Sequence, residues 1–255
     1  MDSFYVHRGW RDGLHPYCKP CLLAYQSARR HAKLDAADPN RRRWTRRFVR
    51  HDYFATIDSE IKAYVLGLLA ADGNVIMKPP RVSLELHEKD SELVELVCEE
   101  LAPEARIRRR RPRGSSGPQM IFSATSRQVV ADLCELGVGP RKSLTLEWPT
   151  KLPREFARPF LLGYFDGDGF TTTSRSSGKY AYSRWGLCGT DRFLVAAMDV
   201  ITCEIGIRRR NPHRKSPRGI WTLAITGIDA ERVDEWLHSG PPEGLRRKRL
   251  SANAA

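Results

Sequence analysis

Apolar residues along this chain recur with two alternating periods. Over 58–71 they keep helical spacing, with Asp58 or Ser59 placed to cap the amino end and Glu60 in the first turn. Two short stretches of period two follow, near 74–78 and 81–87, split by Pro79-Pro80; Val82, Leu84 and Leu86 share one face of the second. Helical spacing returns at Asp90 or Ser91 and would bury Leu93, Val94, Val97 and Leu101. Strands are predicted again at 106–111 and 119–125, joined by a Gly/Ser turn, and a last helix at 127–136. The order helix, two strands, helix, two strands, helix therefore spans 52–136. It is written a second time over 155–238, with a longer loop at 174–183 between its first two strands.

The two spans repeat each other in detail. VLGLLAADG at 65–73 answers LLGYFDGDG at 161–169, and LHEKDSELVELVCEEL at 86–101 answers LCGTDRFLVAAMDVITCEI at 187–205, with a few extra residues. RIRRRRPRG at 106–114 answers GIRRRNPHRK at 206–215, and MIFSATSRQVVADL at 120–133 answers WTLAITGIDAERVDEWL at 221–237. Between the halves, 137–154 reads as a linker from Gly137, Gly139, Pro140, Pro149 and Pro153. Residues 1–51 form a basic amino-terminal extension, ending near Arg41-Arg42-Arg43-Trp44-Thr45-Arg46-Arg47. Residues 239–255 form a basic tail that is expected to fray.

Composition narrows the partner. The 255 residues are 41% hydrophobic, enough for a real core, and the formal net charge is +13 with a sequence pI near 9.8. Such an excess points to a polyanion, and nucleic acid is the commonest. No apolar run is long enough to span a membrane, and MDSFYVHRGW lacks the apolar stretch of a signal peptide, so a cytoplasmic protein with reduced cysteines is expected. Arginine outnumbers lysine 33 to 10, an association with GC-rich bacterial or phage genomes.

Candidate chemistry sits at the two helix ends. Gly67 and Ala71 share one helical face, as do Gly163 and Gly167, and small residues at that spacing let two helix backbones approach closely. Each helix ends in Asp-Gly, at Asp72-Gly73 and Asp168-Gly169, with the glycine as helix stop. An aspartate there faces the negative end of the helix dipole, at a cost of a few tenths to about 1 kcal/mol. Packing the helices side by side would also bring the two carboxylates together, and like charges repel unless a cation lies between them. Metal binding explains the arrangement; stability alone does not. Hard carboxylate oxygens suit Mg²⁺ or Mn²⁺, and the chemistry fits metal-assisted phosphodiester hydrolysis.

These segments resemble the paired motifs of the LAGLIDADG homing endonucleases, in the single-chain form, over about residues 52–238. The resemblance implies an α+β fold of two αββαββα halves related by a pseudo-twofold axis, with two sheets forming a saddle on double-stranded DNA. It implies a site-specific endonuclease that cuts both strands across the minor groove, as in intron homing, and a monomer with internal pseudo-symmetry. It makes Asp72 and Asp168 catalytic and metal-binding, with Ala71 and Gly167 helping to position the metals. Two departures stand out. The sixth motif position is Ala70 in one copy and Asp166 in the other. The basic residue that many members carry near the end of each half's last strand is missing from Ala124-Thr125-Ser126 and Ile225-Thr226-Gly227. Arg127 is the only base near those positions, and His87, Glu88, Lys142 and Lys215 are candidates for the solvent network around the site.

Alternation sets the DNA surface. If Ile107 and Ile207 face the helices, then Arg106, Arg108 and Arg110, with Arg208 and Arg210, face the other way. Arg175 and Lys179 in the 174–183 loop, and Lys215, extend that surface. In the extension, Cys18-Lys19-Pro20-Cys21 has the spacing of a zinc knuckle and resembles the second half of a phage endonuclease zinc module. A complete site would need further ligands, with His7, His15 and His31 at hand. Cys98, Cys134, Cys188 and Cys203 fall in patterned segments and are expected to be buried thiols. The alternative to a nuclease is a catalytically weak or inactive DNA-binding regulator, or an RNA-splicing maturase on the same scaffold. An intein is not expected, because Met1 is no splicing nucleophile and the end RLSANAA lacks a His-Asn pair.

Overall fold

The computed structural model describes residues 4–6, 14–21, 24, 49–111, 117–176, 180–214, 216 and 219–250, without the side chains of 4–6, 14–17 and 174–181. Residues 1–47 and 48–255 form two compact units. In the first, β1 (Phe4–Val6) pairs antiparallel with β2 (Leu14–Cys18). The second unit is α+β, with two sheets and six α-helices among its described residues.

Its first half runs α1 (Glu60–Ala71), β3 (Gly73–Met77), β4 (Pro80–His87), α2 (Ser91–Leu101), β5 (Arg108–Arg110), β6 (Gln119–Ala124) and α3 (Arg127–Glu135). Ser59 caps α1 by accepting from the Lys62 amide, and Ser126 caps α3 by accepting from the Val129 amide, as short hydroxyl side chains do at helix starts. The strands make one antiparallel sheet in the order β3-β4-β6-β5. Val82 and Leu84 pair with Ala124 and Phe122 on the buried face. Arg81, Ser83, Glu85 and His87 alternate onto the opposite face, with Gln119, Ile121 and Ser123 beside them.

The second half runs α4 (Ala157–Asp168), β7 (Gly169–Ser176), β8 (Tyr180–Gly189), α5 (Asp191–Ile205), β9 (Trp221–Thr226) and α6 (Ile228–Leu237). Its sheet has three strands, ordered β7-β8-β9. The counterpart of β5, expected from the repeat in the Arg-rich segment at 206–215, does not form as a strand among the described residues. Gly206 ends α5 in the left-handed region at φ 67° and sends the chain away. Ile207 is buried, Arg209 pairs with Asp199 of α5 at 2.7 Å, and Arg210 with Asp229 of α6 at 3.5 Å. Pro212 has no amide to give a ladder. One bridge, His213 to Thr222, marks where the fourth strand would lie. The loop predicted at 174–183 is instead the paired end of a long hairpin, whose strands run through Ser176 and resume at Tyr180.

The core lies between the motif helices α1 and α4 and the sheets. From Ala63 to Ala71 every residue of α1 is buried, because α4 covers one side and the sheets the other. Segments read as connectors also contribute. Val138, Lys142 and Leu146 of the linker are buried, and so are Leu245, Lys248 and Leu250 of the tail, which packs through residue 250 and does not fray. The cysteines depart from expectation in part: Cys98 is buried, Cys134 and Cys188 are half-buried, and Cys203 is exposed, its thiol beside Arg154. No helix among the described residues is long and apolar enough to cross a membrane.

Candidate active site

The two motif helices touch through backbone. A Cβ on Gly67 would fall on the Phe160 carbonyl oxygen and 2.8 Å from the Tyr164 amide nitrogen. A Cβ on Gly163 would fall on the Tyr64 carbonyl oxygen and 2.9 Å from the Leu68 nitrogen. The shift along the chain that carries Gly67 onto Gly163 also carries Tyr64 onto Phe160 and Leu68 onto Tyr164. The contacts are therefore reciprocal, which is the mark of a local twofold axis. Arg158, at the start of α4, closes the amino ends of the pair by bonding Glu60 at 3.1 Å.

At the other end lie the carboxylates. Asp72 caps α1 and Asp168 is the last residue of α4. Gly167 opens the space for them: a Cβ there would meet the Ala71 methyl and stand 2.7 Å from Asp72 Oδ2. Gly73 and Gly169 follow the helix ends as expected, but neither has positive φ. Both already belong to strands, and they are small because Cβ atoms would strike the Leu69 backbone in one copy and the Phe165 carbonyl and ring in the other.

Lost hydration pushes the Asp72 carboxyl up to about 6, and the Asp168 charge adds to the rise. Asp72 nonetheless keeps solvent access, while neighbouring protein replaces part of its hydration shell. Asp168 is half-buried and also raised by lost hydration, against which Lys142 and Lys248 pull it down.

Of those two lysines, Lys142 is one of several sequence candidates, and sequence reasoning missed Lys248. Lys142 Nζ donates to the Ala71 carbonyl at 2.6 Å, and Lys248 Nζ donates to the Gly167 carbonyl at 2.8 Å and the Phe165 carbonyl at 3.0 Å. Each ammonium thus sits on the carbonyl immediately before a motif aspartate. Burial lowers both lysines, and the neighbouring carboxylates oppose it. A signal was present in the sequence. Gly139-Pro140-Arg141-Lys142-Ser143-Leu144 is echoed by Gly240-Pro241, then Arg247-Lys248-Arg249-Leu250, a fifth repeated segment behind the last helix of each half. Both lysines lie in short 3-10 turns, Lys142–Leu144 and Arg246–Lys248.

The predicted surface arginines are only partly available. Arg106, Arg108 and Arg208 are exposed, whereas Arg110 is tied to Glu85 and Arg210 to Asp229. Ile107 packs toward the core, as alternation requires. Arg109, on the same parity as Ile107, bonds Glu88 at 2.7 Å. The Arg175 side chain, Lys179 and Lys215 lie outside the described residues, as do His7, His31 and the His15 side chain. Cys18 and Cys21 share a hydrogen bond that lowers the Cys18 thiol. Among the described residues no group of three or more His, Cys, Asp or Glu gathers as a metal site, so the zinc expectation finds no support.

No family model matches this sequence, and no curated protein does. Solved structures with a similar course of chain include the I-LtrWI LAGLIDADG homing endonuclease bound to target DNA, at 11% identity over 75% of this chain and 87% of that one, with TM-score 0.49. The I-GzeII LAGLIDADG homing endonuclease in complex with its DNA target aligns at 10% identity over 74% and 87%, with TM-score 0.49. The meganuclease I-SmaMI bound to uncleaveable DNA with a TTGT central four aligns at 13% identity over 74% and 86%, with TM-score 0.49.

Proposed function

We propose that this chain is a divalent-metal-dependent endonuclease acting on double-stranded DNA, with Asp72 and Asp168 as its metal-binding carboxylates. One observation carries the reading: two carboxylates meet at the ends of two reciprocally packed helices, and each is flanked by a buried lysine. Such a site is costly for stability. Both carboxyls are raised and both ammonium groups lowered, so every charge in it would be more comfortable in water.

The donor set fits a hard cation that is content with few protein ligands. Two carboxylates suit Mg²⁺ or Mn²⁺, which keep waters and share their shell with phosphate, while no third carboxylate joins them among the described residues. When bound, such a cation would polarise a phosphodiester and supply an activated water. Asp72 and Asp168 would hold it, and Gly167 leaves the room Asp72 needs. Lys142 and Lys248 would offset the negative charge that builds on phosphate during cleavage. The outward rows of both sheets, with the exposed Arg106 and Arg108 at the edge of the first and Arg208 in the segment after α5, would meet the phosphate backbone and base edges. The protein would work as a monomer, since its internal repeat already supplies both halves of the site.

A second reading is a DNA-binding protein without turnover. It is favoured by one feature: the Ala71 and Gly167 carbonyls, expected to help position metals, accept from lysines instead. Plasmid DNA carrying the sequence that flanks the protein's own coding region decides between them. With Mg²⁺ the parent should cut it, and Asp72→Asn or Asp168→Asn should bind without cutting. Binding by the parent with no cleavage in Mg²⁺ or Mn²⁺ would establish the second reading.

A further inference from the structure

The segment that carries Lys248 is held jointly by both halves. Past α6 the chain turns at Gly244, at φ 67°, where a Cβ would stand 2.9 Å from Asp166 Oδ2. The Leu245 amide then donates to that same oxygen at 3.0 Å, and the Tyr64 hydroxyl of the first half donates to it at 2.5 Å. Two residues on, Arg247 reaches the first half and bonds both oxygens of Asp90, before α2, at 2.8 and 2.7 Å. Between these anchors and the buried Leu250, Lys248 is delivered to the Gly167 carbonyl. The Thr171 hydroxyl bonds the Lys248 carbonyl at 2.7 Å, and the Leu250 amide donates to Asp234 at 3.2 Å.

Asp166 is an awkward residue to bury. It is 3% exposed, and its Oδ1 has no partner among the described residues. An unpaired buried carboxylate oxygen destabilises a fold unless the other bonds of the group compensate. The matching position of the first motif is Ala70, and Lys142 manages without such an anchor, because its segment is fixed by α3 before it and α4 after it. Lys248 follows the last described helix and depends on side-chain anchors.

We propose that Asp166 and Asp90 are positioning residues that strap residues 244–250 across the two halves and so hold the Lys248 ammonium beside Asp168. The consequence for cleavage rests on the nuclease reading above; the strap itself does not. Because Lys248 touches the carbonyl of only one motif, loosening it should unbalance the two strand cuts and leave Lys142 in place.

The test reads lysine accessibility and cleavage on the full chain. Reductive methylation followed by mass spectrometry reports Lys248 and Lys142 separately. Asp90→Asn, and Asp166→Ala paired with Tyr64→Phe so that the helix contact keeps no orphan hydroxyl, should raise Lys248 labelling by about tenfold, the scale of a lost charge-assisted bond, with Lys142 unchanged. The exchange Asp90→Arg with Arg247→Asp should return Lys248 toward parental protection. With supercoiled plasmid, the loosened variants should accumulate nicked circles, with kcat lowered on the order of 100-fold and KM little changed. The proposal is overturned if Lys248 stays protected in the variants, or if Lys142 becomes reactive to the same degree. If the parent does not cut DNA, the nuclease reading fails, and labelling alone still decides the strap.

Discussion

At the scale of single residues, the site is a balance of uncomfortable charges, and pH should expose it. Asp72 and Asp166 are pushed up to about 6 by burial, and Asp168 is raised for the same reason. A carboxyl whose folded value lies above its unfolded one contributes its stability while protonated and loses it as pH rises through the folded value. Metal-free protein should therefore lose stability between about pH 4 and pH 6. Thermal melts across that window, in chelator, check this, and Asp72→Asn should flatten the fall. Added Mg²⁺ should restore stability above pH 6, where the carboxylates are free to take it, and cleavage should fade below that value. A melt that is flat across the window, with or without metal, would contradict the assignment. Replacing Lys142 by Met removes one ammonium and leaves its aliphatic stem, so cleavage should drop on the order of 100-fold while DNA affinity changes little.

At the scale of elements, the seam between α1 and α4 is the least forgiving part of the chain. Gly67→Ala or Gly163→Ala would drive a methyl into a facing carbonyl, and the helices must separate to admit it. Overpacking of this kind costs about 1–3 kcal/mol or more. In a unit of this size that lowers Tm by roughly 2–12 °C, measurable by calorimetry. The seam was legible in the sequence because small residues at helical spacing leave few other uses, and so were the elements whose side chains alternate cleanly, such as β4 with Val82 and Leu84. Three features were not legible. The region 206–210 has the alternation of a strand, but Arg209 and Arg210 are bound by carboxylates on α5 and α6, a tertiary contact no local pattern carries. Gly73 and Gly169 look like helix stops, whereas their smallness answers a steric demand from the preceding turn. Lys248 sits in a basic, Pro-rich stretch with the composition of a loose tail, and the contacts that bring it to the site, with Asp166, Asp90, Thr171 and Asp234, are tertiary.

At the scale of the whole molecule, the net charge of +13 is spread over surfaces that are partly self-neutralised. Arg109, Arg110, Arg209 and Arg210 all have carboxylate partners, so the number of guanidinium groups overstates what is free to meet phosphate. DNA affinity should fall log-linearly with salt, and Arg108→Ala should reduce the slope by about 1 if that side chain contacts phosphate. Glu85→Gln, which frees Arg110, should change the slope in the opposite direction. Filter binding across a salt series would show both, and an unchanged slope in both variants would remove the first sheet from the DNA surface.

The bond from Tyr64 to Asp166 also sets an unlike pairing of the halves apart from a like one. The glycine contacts are interchangeable, so two copies of either half could in principle close the same seam. Two first halves would bury a pair of tyrosine hydroxyls opposite Ala70, with no acceptor. Two second halves would bury a pair of carboxylates opposite Phe160, each without the hydroxyl donor and left with the Leu245 amide. Only the unlike pair gives the tyrosine hydroxyl its acceptor and Asp166 this second donor. Split at the linker and co-expressed, the halves should recover one another in preference to themselves. The Tyr64→Phe, Asp166→Ala combination should weaken that preference, which the one-sided Arg158–Glu60 and Arg247–Asp90 pairs between the halves also support.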